Sequence, residues 1–478
     1  MNILFAGVEC FPFIKIGGLG DVLGILPKEL NSLGDVDTRV IMPKFSVIKE
    51  ELLKDIEFID EFYVFVGQKA HKVKLWQEKY NGFIIYFLEN EKYFNRERVY
   101  DFPDELERWA LFQVGTVEAM KYMKDFKVDV LNCHDWHTGM IPEIIKVKYF
   151  KEFGNIKTVF TIHNIMFQGE CDRQTAKLFN MPFSNVMEMN GKMNFMKSAI
   201  VSADYVNTVS DTYSKELLSS DYFSMGLGSI LNQKAKAKAF GGILNGLDYV
   251  LWNPETDSGI PLNYTFKNYK EGKEKAKRVL YDKLGREDFY TDTPMMAIVS
   301  RLTRQKGLDL ITHVIDNLLN DYTFKFVVIG SGERGYEDFF RDLEKRHPYK
   351  VKCFIGYSDE LAHLTYAASD LFLMPSAFEP CGLGQMIALR YGSLPIVRET
   401  GGLKDSVMPF NEYTMEGNGF SFTNYNAYDM DYVIRYAFRI YKEKDKWDTL
   451  VKHAMESDYS FKQSAIKYYK MYKDLLEK

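Results

Sequence analysis

Glu379 opens the run Glu379-Pro-Cys-Gly-Leu-Gly-Gln385, after the apolar stretch Asp370-Leu-Phe-Leu-Met-Pro375 and before a helical pattern, Met386 to Tyr391, that Gly392 stops. A carboxylate is thus placed where a buried parallel strand hands over to a glycine-rich helix start. Backbone N–H groups and the positive helix end at such a place favour an anion. An anionic leaving group beside a fixed carboxylate points to transfer chemistry on a phosphate-activated substrate. Cations recur at similar places. Arg301 and Lys306, in Ser300-Arg-Leu-Thr-Arg-Gln-Lys-Gly307, follow an apolar run and suit a diphosphate. The arginine would bind through its planar fork and the lysine as a point charge. In Lys15-Ile-Gly-Gly-Leu-Gly-Asp21, Gly17 and Gly18 let the backbone approach a ligand beside the Lys15 charge.

Two further motifs end apolar runs. They are His134-Asp-Trp-His137 and Thr161-Ile-His-Asn164. Asp135, His163 and Asn164 offer the donors and acceptors that sugar hydroxyls need. A metal site would want His, Asp and Glu at recurring helical spacing, so metal is the lesser reading. Gly330-Ser-Gly332 serves close packing as readily as phosphate binding, and Thr400-Gly-Gly-Leu403 offers a hydroxyl and amides to a ligand. Asp35-Val-Asp37 reads as a solvated turn rather than a metal-binding pair. Gly18-Leu-Gly20-Asp-Val-Leu-Gly24 imitates a dinucleotide fingerprint, which would motivate an oxidoreductase. The true loop leaves its strand at once, whereas here about ten residues intervene.

The elements that must carry these residues alternate between apolar strands and helical patterns, as in parallel α/β sheets. Strands are predicted at 2–7, 38–42, 82–88, 128–133, 157–162 and 205–209, then at 295–300, 325–329, 351–355, 370–374 and 394–397. Asp21 is expected to cap a helix with an apolar face of Val22, Ile25, Leu26, Leu30 and Leu33. Phe461, Ala465, Tyr468, Tyr472 and Leu475 line one face of a terminal helix, with Ser460 and Gln463 as a capping pair. A Pro-, Asn- and Asp-rich stretch around Trp252 to Pro261 reads as a linker. At 478 residues the chain predicts two domains, and a net charge of −5 argues against a nucleic-acid partner. No signal segment or membrane span is predicted, and five cysteines without a C-x-x-C pair fit a reducing cytoplasm.

In their order along nearly the whole chain, these motifs, with Asn245-Gly-Leu-Asp248 and Trp252-Asn-Pro254, resemble the glycogen/starch synthase family. The resemblance implies an α/β fold of the GT-B kind, two Rossmann-like doubly wound domains facing an interdomain cleft. Domains are expected at 1–243 (acceptor side) and 244–457 (donor side), with a final helix at 458–478 crossing back onto the first. It implies ADP-glucose as donor, an α-1,4-glucan (glycogen) extended at its non-reducing 4-hydroxyl, no cofactor, no catalytic metal, and retention at the anomeric carbon. Matched by position, Lys15, Arg301 and Lys306 neutralise the diphosphate. His163 and Asn245 hold the glucose, Asp135 lies near the reacting centre, and Glu379 orients the glucose and stabilises developing positive charge. Tyr357 matches the adenine-stacking tyrosine, Asp21 lies at the donor loop, and the Cys381, Gly382, Leu383 and Thr400 segments meet the nucleotide sugar. The chain departs from the family with Ile16 and Gly384, where threonine is common. It has Ile387 where the wider retaining group carries a second glutamate. UDP-glucose as donor and a non-catalytic glucan-binding protein are the alternatives.

Overall fold

The computed structural model describes residues 1–285 and 293–478. The chain divides into two compact units, Met1–Gly246 with Phe461–Lys478, and Leu247–Ser460.

The first unit contains β1 (Asn2–Ala6), β2 (Asp37–Pro43), β3 (Glu57–Val66), β4 (Lys69–Tyr80), β5 (Phe83–Glu89), β6 (Val130–His134), β7 (Lys157–Ile162), β8 (Glu170–Cys171), β9 (Glu188–Met189), β10 (Lys192–Asn194), β11 (Tyr205–Thr208) and β12 (Phe240–Gly242). Nine of them form one sheet in the order β12-β11-β7-β6-β1-β2-β5-β4-β3, and β8-β10-β9 form a small second one. From β12 to β5 every pairing is parallel. The predicted strands all belong to this part, because strands covered on both faces read as continuous apolar runs. The strict parallel alternation expected from sequence fails at β3 and β4, which form an antiparallel hairpin. Along β3, Phe62, Val64 and Val66 are buried while Glu61, Tyr63 and Phe65 are exposed. One wet face dilutes the apolar signal, so the hairpin was not anticipated.

The chain order reverses between β1 and β6, which opens a crevice at the C-terminal ends of these two strands. The first helix runs Gly18–Asn31, with extended Gly17 in the cap position. Asp21 is therefore not the cap; it sits inside the first turn, where a negative charge still meets the positive helix end. The terminal helix Phe461–Leu476 buries all five residues of its expected apolar face. Tyr468 is fully buried and its hydroxyl accepts from Asn207 Nδ2 at 2.8 Å.

The second unit holds β13 (Met295–Val299), β14 (Lys325–Gly330), β15 (Val351–Ile355), β16 (Leu371–Met374), β17 (Leu394–Arg398) and β18 (Phe420–Phe422). Their order, β15-β14-β13-β16-β17-β18, is the 3-2-1-4-5-6 arrangement of a doubly wound sheet, parallel throughout. Its switch point lies between β13 and β16. The expected linker has no helix or strand, yet it is packed into this unit. Buried Asp257 accepts from Tyr391 Oη at 2.5 Å and lies 2.7 Å from His363 Nδ1, and Trp252 stacks on His363.

Truncating Tyr468 to Ala removes a large buried ring and is expected to cost about 3–5 kcal/mol. Ile466→Ala, on the exposed face of the same helix, is expected to change stability by less than about 0.5 kcal/mol. Chemical denaturation of both variants checks this, and equal losses would mean the helix is not docked by that face.

Candidate active site

In the first unit, register assembles the site. Ala6 pairs with Cys133, and His134 pairs with Thr161, so the loops leaving β1, β6 and β7 emerge side by side. The β1 loop is held by a residue that sequence reasoning missed. Buried Glu9 accepts the backbone N–H groups of Ile16 and Gly17 through Oε2, both at 2.8 Å, and the Tyr100 hydroxyl through Oε1 at 2.7 Å. A Cβ at Gly17 or Gly18 would meet no described atom within 4 Å, which leaves that side of the loop open to a ligand. At Gly24 a Cβ would lie 2.5 Å from the Phe11 carbonyl oxygen, so this glycine serves packing and the imitation of a dinucleotide fingerprint dissolves. Lys15 Nζ rests 2.7 Å from Asp21 Oδ1.

Asp135 leaves β6 with φ +58 and ψ 176, a conformation costly for a side-chain-bearing residue and typical of functional sites. Its Oδ1 accepts the His163 N–H at 2.8 Å and lies 3.5 Å from the Asn164 N–H. Burial pushes its carboxyl up to about 7 against the pull of those N–H groups. His134 is fully buried, with Nδ1 2.9 Å from His163 Nε2. Burial lowers both imidazoles, His163 to about 3, so both are neutral near pH 7. His163 is thus a hydrogen-bonding group rather than a proton donor of ordinary acidity. His137 is structural, its ring between Trp109 and Trp136. Asn245 is buried beyond β12, its N–H 3.4 Å from the Val209 carbonyl. Beside this end lies a cavity of about 640 Å³ lined by Trp136, Met166, Phe167, Asp101, Glu105 and Glu170, among others.

In the second unit, the β13 loop meets the end of β16. Lys306 Nζ lies 2.5 Å from Glu379 Oε2, and the Ser376 hydroxyl donates to the same oxygen at 3.1 Å. The pair is largely buried, with side-chain exposures of 16 % and 10 %. Gly307 makes the approach possible. It adopts φ +73, and a Cβ there would fall 2.0 Å from the Pro375 carbonyl oxygen. Behind Glu379, Gly402 N–H contacts the Glu379 and Pro380 carbonyls at 3.2 Å, so Thr400-Gly-Gly packs directly on the Glu379–Cys381 backbone. Gln385, also missed from sequence, is fully buried and donates Nε2 to the Cys381, Gly382 and Ser406 oxygens at 3.0–3.2 Å. It fixes Cys381, Gly382 and Leu383 ahead of the helix Gly384–Arg390. Arg301 and Tyr357 are exposed at the ends of β13 and β15 and take no part in the Lys306–Glu379 contact. Gly330-Ser-Gly332 proves to be a packing turn, since a Cβ at Gly332 would lie 2.5 Å from the Leu302 carbonyl oxygen. Asp37 is engaged by Arg39 at 2.8 Å, and Asp35 by Tyr469 and Lys473. Among the described residues no group of three or more His, Cys, Asp or Glu is arranged to hold a metal, and no helix is long and apolar enough to cross a membrane.

Two doubly wound sheets, each with cations, glycines and a carboxylate at its switch point, define a glycosyltransferase of the GT-B fold, and comparisons with known proteins agree. The family described as "Starch synthase catalytic domain" matches residues 2–233, and "Glycosyl transferases group 1" matches residues 283–452. The chain is 46 % identical to a glycogen synthase of Clostridium botulinum, with 99 % of each chain covered, and 44 % identical to one of Bacillus cereus, with both fully covered. The catalytic domain of starch synthase IV from Arabidopsis thaliana, solved with ADP and acarbose, superposes with a TM-score of 0.90 at 32 % identity, covering 100 % of this chain and 99 % of that one. A sucrose-phosphate synthase from Thermosynechococcus elongatus shares the fold at 15 % identity and a TM-score of 0.61, each chain covered to 99 % or more. The chain belongs to the family of glycogen and starch synthases, enzymes that elongate glucans by glucosyl transfer.

Two outcomes follow from the geometry. Removing one partner of a buried ion pair leaves the other uncompensated, at a cost of about 3–5 kcal/mol. Lys306→Met is expected to lose stability on that scale, and Lys306→Met with Glu379→Gln to regain most of it; additive losses in a double-mutant cycle would show the pair is not coupled. Asp135 is raised on folding, so its ionisation costs stability as pH climbs from about 4 to about 7, and the cost is constant above that. Asp135→Asn is therefore expected to leave the denaturation midpoint unchanged near pH 4 and to stabilise at pH 8, by at most about 4 kcal/mol. Asn carries the same backbone cost at this φ and ψ as Asp, so the comparison isolates the charge. No gain at pH 8 would contradict the burial cost assigned to this carboxylate.

Proposed function

We propose that the chain transfers glucose from ADP-glucose to the non-reducing 4-hydroxyl of an α-1,4-glucan, elongating glycogen in the cytoplasm with retention at the anomeric carbon. The observation that carries this reading is the Lys306–Glu379 pair at the switch point of the second sheet. A diphosphate arriving there draws on Lys306, with Arg301 supplying further charge, and in the first unit Lys15 offers charge to an anion at the glycine loop. Glu379 is then available to orient the glucose and stabilise positive charge that develops as ADP departs, an electrostatic role. His163 and Asn245 hold sugar hydroxyls, with Asp135 and Asn164 shaping the loop that presents them. The exposed ring of Tyr357 offers a stacking face for adenine. The ADP and acarbose bound to the Arabidopsis relative support an adenine nucleotide donor and a glucan acceptor. The cavity lined by Trp136 and Phe167 suits that acceptor, since aromatic faces stack on sugar rings while the acids beside them accept from hydroxyls.

The reaction is testable by following ADP-glucose and a maltooligosaccharide by proton NMR in real time. The expected first product is an α-1,4 extension formed directly, and a β-linked or absent product would sink the reading. Glu379→Gln and His163→Ala are expected to lower kcat by about 10²-fold or more. Phe167→Ala is expected to raise KM for glycogen by about 2- to 10-fold with kcat nearly unchanged. A reversed pattern, with kcat lost at Phe167 and retained at Glu379, would move the chemistry elsewhere.

A further inference from the structure

Four buried or half-buried side chains connect the terminal helix to the β7 loop of the first unit. Tyr472 is fully buried and its hydroxyl lies 3.0 Å from Asn132 Oδ1, a contact between residues 340 apart in sequence. Asn132, also fully buried, places Nδ2 2.9 Å from both His134 Nε2 and Thr161 Oγ1. His134 Nδ1 in turn lies 2.9 Å from His163 Nε2. The direction of each hydrogen bond follows from donor and acceptor inventory. Burial keeps Tyr472 a neutral phenol with one proton to give. That proton goes to the Asn132 carbonyl oxygen. Both amide hydrogens of Asn132 then face His134 Nε2 and Thr161 Oγ1, so His134 Nε2 is an acceptor and its proton sits on Nδ1. His134 Nδ1–H donates to His163 Nε2, which places the His163 proton on Nδ1.

The reverse polarity needs Asn132 rotated, with its amide group toward Tyr472. The phenolic proton would then face no acceptor among the described residues, and an unsatisfied buried hydroxyl is costly. The two polarities differ in what His163, at the edge of the site, presents to a ligand. In the first its free nitrogen, Nδ1, is a donor; in the second it is an acceptor.

We infer that Tyr472 is a positioning residue: through Asn132 and His134 it fixes the tautomer of His163 as Nδ1–H, so that a sugar oxygen meets a committed donor. The catalytic use of that donor rests on the transfer reaction proposed above, whereas the tautomer itself does not. The arrangement also makes the donor conditional on docking of the terminal helix.

The test uses the full chain labelled with nitrogen-15 histidine, read by long-range proton–nitrogen correlation. The His134 and His163 signals are assigned from His134→Gln and His163→Gln among the eight histidines of the chain. The expected wild-type result is a protonated Nδ1 and bare Nε2 on both rings. Tyr472→Phe, which keeps the ring and its packing, is expected to give a mixture of tautomers at His163 and a kcat about 3- to 10-fold lower with KM nearly unchanged. Asn132→Asp presents only acceptors, so it is expected to reverse both rings to Nε2–H. A wild-type His163 protonated on Nε2, or a tautomer that Tyr472→Phe and Asn132→Asp leave untouched, overturns the inference. Tautomers as expected in a protein that makes no glucan would overturn the proposed reaction and leave the relay standing.

Discussion

The Lys306–Glu379 ion pair is the constraint on which the second unit's strand ends depend. A carboxylate and an ammonium this buried are tolerable only as partners, since either alone would carry most of its desolvation cost. The backbone is shaped to permit the contact. Gly307 lets the β13 loop touch Pro375, and the Thr400-Gly-Gly segment and Gln385 support the peptide that carries Glu379 from behind. Charge is thereby held in place before any ligand arrives. Preorganisation of this kind is the largest single source of catalytic stabilisation in many enzymes, because the site does not have to reorient when charge develops.

The first unit meets the same need differently. Beside the Lys15–Asp21 ion pair it offers directed hydrogen bonds from buried groups. Asp135 accepts strain in its backbone, and a carboxyl raised to about 7, in exchange for holding the His163 and Asn164 loop. Glu9 holds the glycine loop from beneath, so the open side of Gly17 and Gly18 faces outward. The buried chain from Tyr472 to His163 adds polarity to that loop. Glu9, Asp135 and His163 follow the C-terminal ends of the parallel strands β1, β6 and β7 near the sheet's switch point, where doubly wound sheets bind ligands whatever their chemistry.

How much of this was legible in the sequence follows from burial. Strands covered on both faces, such as β1 and β13, announce themselves as apolar runs, and glycine–cation motifs at their ends mark Lys15, Arg301 and Lys306. The β3–β4 hairpin was not legible because one wet face mixes charge into the pattern. Asp21 was misread as a cap because glycines ahead of it could begin the helix unaided by a side chain. Glu9, Asn132, Gln385 and Tyr472 were invisible as site residues for a common reason. Each has a partner far away in the chain or on another element, which only the packing of sheet and helices brings near. Glu9 left one faint sign, a lone carboxylate in the apolar stretch Val8-Glu-Cys10.

The reaction proposed for this chain is transfer of glucose from ADP-glucose to glycogen. Nucleoside-diphosphate release by the purified protein, with ADP-glucose and UDP-glucose compared in the presence and absence of glycogen and without added metal, tests it most directly. The expected result is release that requires glycogen and strongly favours ADP-glucose. Release from UDP-glucose alone, or no glycogen-dependent release from either donor, would contradict it.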